Sequence, residues 1–178
     1  MIMDNDSELL PVVDAEGRVM GSIRRGEAHD GCKVLHPVVH LHLMNSAGEL
    51  YLQHRPAWKK VQPDKWDTAC GGHIAYGESV EDALKREVSE ELGIVDYRPE
   101  TVCRYVFESR IERELVYLYR TVYDGEINPS ADELSGGRFF TMAELRDSLG
   151  KGMITPNCEM ELVDYLLICS NSSFACET

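Results

Sequence analysis

Glu87, Glu90 and Glu91 stand at i, i+3 and i+4 in the stretch GGHIAYGESVEDALKREVSEELGI, residues 71–94. On a helix that spacing gathers three carboxylates on one side, and like charges so placed repel by roughly 0.2–0.5 kcal/mol per pair. Arg86 lies four residues before Glu90, and Glu78 and Gly72 lie just upstream. Two readings follow. Charge runs commonly face water and do nothing else. Alternatively a hard cation such as Mg²⁺, which takes carboxylate oxygens and water, converts the repulsion into a site. The second reading carries chemistry, because a carboxylate-held divalent ion screens a diphosphate, orients it and makes water a better nucleophile.

The elements that must position these groups are legible around them. Ser79 caps a helix and Gly93 ends it, so residues 80–92 are predicted helical; Ala83, Leu84, Val88 and Leu92 give it an apolar stripe. LLPVVDAEGRVMGSIRR alternates about the turn Asp14–Gly17 and predicts an N-terminal β-hairpin over residues 8–25. VLHPVVHLHLMNSAGELYLQHR predicts a second hairpin. Its first strand sets Val38, His40, His42 and Met44 on one face and Val39, Leu41 and Leu43 on the other. PAWKKVQPDKW, with Pro56 and Pro63, reads as a loop. TVCRYVFESRI, RELVYLYRTVY and RFF read as strands. Thr141 and Glu144 form a capping box opening one helix, and NCEMELVDYLLIC reads as the last helix. Strands and helices interleaved in this way predict a mixed sheet with helices on its faces.

The chain has 178 residues, 43% hydrophobic and 28% charged, which suits one domain over residues 1–170 with a frayed tail at 171–178. A formal net charge of −13 argues against a nucleic-acid polymer as partner. No apolar run is long enough for a membrane span, and MIMDNDSELL lacks the basic and apolar regions of a signal peptide, so the expectation is a soluble, cytoplasmic protein. The six cysteines have no C-x-x-C spacing and read as reduced thiols. Dimerisation is compatible with all of this.

Gly72, Glu78, Arg86, Glu87, Val88, Glu90, Glu91, Gly93 and Ile94 fill, without mismatch, the Gly-x5-Glu-x7-Arg-Glu-aliphatic-x-Glu-Glu-x-Gly-aliphatic pattern of the Nudix box. At ordinary residue usage this arises by chance roughly once in 10⁸ positions. The chain therefore resembles the Nudix superfamily. The resemblance implies an α/β Nudix fold, a mixed β-sheet sandwiched between helices (α/β/α). It also implies Mg²⁺ or Mn²⁺ as cofactor and a small-molecule substrate built as a nucleoside diphosphate joined to another group. By that implication Glu87 and Glu91 ligate metal, Glu90 ligates metal or helps to activate water, Arg86 holds a carboxylate in place, and Glu78 and the Gly72 carbonyl complete the site.

EAHDGCKVLHPVV, HRPAWKKVQPDKWDTACGGH and IERELVYLY are similar to the isopentenyl-diphosphate isomerase side of the superfamily. That likeness implies a further metal site from His29, His36, His73, Glu112 and Glu114, and a diphosphate grip from Arg55, Lys59 and Lys60. Cys70 falls near the isomerases' catalytic cysteine, although CGGH carries one more glycine than their CGH. Each of these has a structural alternative. Histidines such as His40 and His42 are usually hydrogen-bonded members of a fold, Cys70 suits a buried thiol, and Trp58, Trp66, Tyr76 and Phe107 suit either base stacking or a core. The isomerases have degraded the hydrolytic box, whereas this chain keeps both Glu87 and Glu90. The reading is thus a metal-dependent hydrolase of a pyrophosphate linkage, with metal-dependent isomerisation through Cys70 and Glu112 or Glu114 as the alternative.

Overall fold

A computed structural model describes residues 5–59, 61–131 and 134–167. Lys60 and the tail expected to fray at 171–178 lie outside the described residues.

Strands β1 (Leu9–Val13) and β2 (Val19–Arg24) form the expected hairpin, antiparallel, followed by the single turn α1 (Arg25–Ala28). The hairpin packs on the main sheet, since Val13 joins Leu35 and Leu115 in a small apolar cluster. Gly17 turns the hairpin at φ 83°, and a Cβ there would also lie 2.4 Å from the Tyr117 hydroxyl, so only glycine suits the position.

The main sheet contains β3 (Leu35–Met44), β4 (Leu50–His54), β5 (Trp66–Asp67), β6 (Cys70–His73), β7 (Glu100–Glu108), β8 (Arg113–Val122) and β9 (Gly137–Phe140). Its order is β5-β4-β3-β8-β7, with β6 also paired to β3 and β9 to β4. Among the described strand pairs only β3 and β8 run parallel, and the other pairs are antiparallel. β3 is central and buried on both faces, which is why its apolar residues run on rather than strictly alternating with polar ones.

Helix α2 (Val80–Leu92) covers one face. Ser79 accepts from the Asp82 N–H at its start and Gly93 closes it in the left-handed conformation, as the sequence predicts. Ala83, Leu84, Val88 and Leu92 pack into a cluster with Val39, Leu41, Leu43 and Ile74. Complete burial of each larger side chain contributes about 1.5–3 kcal/mol, enough to hold the charged face of α2 in fixed register against the sheet. Helices α3 (Met142–Ser148), opened by the Thr141–Glu144 capping box, and α4 (Pro156–Glu161) build a second cluster around Leu50, Leu52, Phe140 and Leu145. The last helix is not regular as expected. It begins at Pro156, capped by Thr155, and widens into a π-helical turn over Leu162–Leu167. The wider turn lets Leu162 fill the second cluster while Tyr165 packs near Val38 and Val116 on β3 and β8. With helices on both faces of a mixed sheet the architecture is α/β/α. Among the described residues no helix is long and apolar enough to cross a membrane.

Candidate active site

Glu87 is well enclosed, its side chain 14% exposed. Its side chain lies against Gly72 of β6 so closely that a Cβ on that glycine would sit 2.0 Å from the Glu87 carboxyl carbon. Burial raises the Glu87 pKa, and the adjacent Arg86 guanidinium works against that rise. Arg86 is the brace of the cluster. Its Nε and Nη2 fork onto the two oxygens of Glu78, each at 2.9 Å, its Nη1 donates to Glu87 at 2.7 Å and to Glu90 at 3.3 Å, and Nη2 also reaches the His73 carbonyl at 3.0 Å. The fork holds the Glu78 pKa below the usual carboxylate range. Glu78 in turn accepts from the Ala75 N–H, and Glu91 from the Gly71 N–H at 3.2 Å. Glu90 is the outermost of the three, its side chain 60% exposed.

A second group lies at the other end of β6. One ring nitrogen from each of His29, His36 and His73 lies within 4.8 Å of the other two. His29 Nε2 is 3.1 Å from His73 Nε2 and 3.8 Å from the Glu112 carboxylate. His36 donates Nδ1–H to the Val34 carbonyl, leaving its Nε2 buried without a protein partner among the described residues. Burial pushes the His36 pKa down to about 4 and, helped by Arg25, pushes that of His73 down as well. Neutral imidazoles with an unsatisfied nitrogen suit a metal ion. Burial raises the pKa of both Glu112 and Glu114, and their mutual repulsion adds to the rise at Glu114.

Both groups open onto one cavity of about 880 Å³. The helix site fits a hard divalent cation, because Gly72 leaves its side-chain space to Glu87 and the carboxylates of Glu87, Glu90 and Glu91 gather beside the cavity. The histidine set fits a more nitrogen-loving ion.

Arg55 lines the cavity, but Nη1 donates to Asp67 at 2.9 Å, and Nε and Nη2 donate to the carbonyls of Gln62 and Val61. Its fork shapes the loop after β4. Lys59 also lines the cavity, with Nζ 5.0 Å from the Trp58 ring centroid. Trp66 packs in the second core against Phe140, whereas Trp58 and Tyr76 are exposed. Cys70 does not face the cavity. On β6 it pairs with Leu41 and is wholly buried in the cluster under α2, where burial, then the nearby Glu91 and Glu87 charges, raise the thiol pKa well above normal. The extra glycine of CGGH is responsible. With two residues between them Cys70 and His73 point to opposite faces, and Gly71, opposite His40, shares the face of His73.

The sequence reading missed a buried network. Glu161 of α4, 0% exposed, accepts from His40 Nδ1 and His42 Nε2, both at 2.6 Å, and from the Tyr105 hydroxyl, which also meets Asn157 at 2.7 Å. Burial alone would lower the His40 pKa, but the Glu161 carboxylate outweighs it and raises it to about 9. The alternating histidines on a strand were the visible signal; the acid that pairs with them comes more than a hundred residues later.

The family model for the NUDIX domain matches residues 34–158. An uncharacterized Nudix hydrolase of Pseudomonas aeruginosa is 36% identical over 135 residues, covering 76% of this chain and 79% of that protein. An isopentenyl-diphosphate Δ-isomerase of Mycolicibacterium vanbaalenii is 32% identical over 141 residues, covering 76% and 78% respectively. In structure the chain is similar to the DR0079 protein of Deinococcus radiodurans, with a TM-score of 0.71 and 25% identity over 83% of this chain and 91% of that one.

Proposed function

We propose, from the premise that this chain belongs to the Nudix family and is a Nudix hydrolase acting on pyrophosphate bonds, that its substrate is a nucleoside-diphosphate derivative or a related small diphosphate. The observation that carries the reading is the seating of Glu87 against Gly72 under the Arg86 brace, next to an open cavity. Glu87, Glu90 and Glu91, with Glu78, would hold Mg²⁺ or Mn²⁺; the expected Gly72 carbonyl faces β3 instead, because the Gly71 N–H turns outward to Glu91 and Gly72 pairs with Val39. That ion, when bound, supplies charge screening and Lewis acidity at phosphorus. The chain's own groups do the rest. Arg86 fixes Glu78, Glu87 and Glu90 relative to one another, so little reorganisation is needed when charge develops. The Gly71 N–H orients Glu91. Glu90, the most exposed carboxylate of the set, completes the ligands or takes the proton of the attacking water.

The three histidines with Glu112 and Glu114 favour a second reading, isomerisation of a homoallylic to an allylic diphosphate, in which a proton is delivered to one carbon and removed from another. Against it stands Cys70, whose thiol is in the core under α2, so the proton would need another donor. The test is a panel of nucleoside-diphosphate derivatives and isopentenyl diphosphate, each with and without Mg²⁺. Phosphate or nucleotide release from the first group supports the hydrolase. Dimethylallyl diphosphate formed without phosphate release overturns it.

A further inference from the structure

The proposed hydrolysis uses none of the Glu161 network, yet one member of that network reaches the cavity. His42 is 1% exposed and turned inward; the His40 side chain keeps 11% exposure and lines the cavity. Its Nδ1 is fixed on Glu161 at 2.6 Å, and its Nε2 has no protein partner among the described residues. That edge of the ring lies over Gly71, where a Cβ would be 3.2 Å from Cδ2 and 3.5 Å from Nε2. The next residue, Gly72, is the one whose Cβ would collide with Glu87, and the Gly71 N–H is bonded to Glu91. As consecutive residues of β6, Gly71 seats the His40 ring on one face and Gly72 the Glu87 carboxylate on the other, and all four residues line the one cavity, so His40 Nε2 and the helix carboxylates share it across two residues that carry no side chain.

We infer that His40 is a substrate-binding residue, donating Nε2–H to a non-bridging oxygen of a diphosphate bound in the cavity that His40 shares with the helix carboxylates, with Glu161 holding the ring in place. The inference rests on the hydrolase reading only for where the diphosphate is anchored. A purely structural histidine would serve poorly here. Glu161 is already served by His42 and Tyr105, and a buried ion pair generally adds little net stability because both ions lose their hydration. A charged donor aimed at a phosphate oxygen, in contrast, is among the stronger hydrogen bonds.

Two measurements test this. In steady-state hydrolysis, His40→Gln should raise KM by roughly tenfold, the factor of one ~1.4 kcal/mol contact, with kcat within about threefold. Glu161→Gln should move KM in the same direction. Unchanged KM in a folded His40→Gln protein overturns the inference. Independently of variants, ¹⁵N-histidine-labelled wild-type protein is titrated with methylenediphosphonate and Mg²⁺, with the ³¹P signal following occupancy. The His40 Nε2 resonance should move and the His42 resonances should not; a still His40 resonance at full occupancy, or no binding at all, contradicts the proposal. A moving His40 in a protein that releases phosphate from no substrate sinks the hydrolase reading and leaves this one standing.

Discussion

Replacing Gly72 by alanine tests the site with a single methyl group. The built Cβ lies 2.0 Å from the Glu87 carboxyl carbon and 2.2 and 2.5 Å from its oxygens. Contacts below about 3 Å are not tolerated by a Cβ, so the carboxylate must retreat by at least ~1 Å. Gly72 is not among the glycines with positive φ, so alanine adds no backbone strain. The obstructing atoms are the end of a flexible side chain, and rotating them away leaves the packing of α2 intact. Metal ligation tolerates displacements of only about 0.2 Å, and a ~1 Å error in catalytic geometry can cost about 100-fold in rate. Gly72→Ala should therefore lose at least about 100-fold in kcat while its unfolding free energy from urea denaturation falls by less than the ~1–3 kcal/mol typical of core overpacking. Gly71→Ala, one residue away and meeting His40 at 3.2 Å and Thr68 Cγ2 at 3.8 Å, is the comparison, with an effect expected mainly in KM. Stopped-assay phosphate release and urea denaturation on both proteins suffice. Wild-type kcat in a folded Gly72→Ala protein would refute the reasoning.

Glu91→Gln should lower turnover by at least about 100-fold with the fold retained, since it removes a ligand charge from a partly buried carboxylate and no apolar contact; circular dichroism and turnover together check this. Cys70→Ala should leave hydrolysis within about twofold and reduce stability by about 1 kcal/mol through lost packing, whereas the isomerase reading expects loss of activity. In chelator-treated protein, stability should fall as pH drops from 6.5 toward 4. The unfolded chain binds protons at His36 and His73 in that window and the folded chain does not; for His36, with its folded pKa of about 4, the full loss is roughly 3 kcal/mol at 1.36 kcal/mol per unit. His40, raised to about 9, acts oppositely. Its contribution is complete below pH 6.5 and is lost as pH rises through 9, so urea midpoints should peak between the two windows; a monotonic profile would contradict both assignments.

What the sequence disclosed and what it concealed divide along sequence distance. Helix α2, its Ser79 and Gly93 ends, the carboxylate spacing and the Thr141–Glu144 box are local patterns, and they appear as expected. The short β6 was not read as a strand, because Cys-Gly-Gly-His has no β-propensity and is held extended only by its pairing with β3. The orientation of Cys70 follows from that same pairing. Loop residues near a motif say little about how their donors are used, and Arg55 shows this by turning inward to Asp67 and two carbonyls. Glu161 joins His40 across 121 residues, and its acidic side chain reads as surface until α4 folds over β3. Isolated histidines on a strand carry no label separating a ligand from a packed side chain. The structure separates them by what each second nitrogen meets: His36 leaves one unsatisfied beside His29 and His73, and His40 leaves one open to the cavity.

The most direct measurement is anomalous scattering from a crystal soaked in Mn²⁺ together with methylenediphosphonate. The account predicts an ion held by Glu87 and Glu91, at distances close to the ~2.1 Å of an octahedral Mg²⁺ site, bridged to the diphosphonate. An ion found solely among His29, His36 and His73, with the helix carboxylates bare, would contradict it.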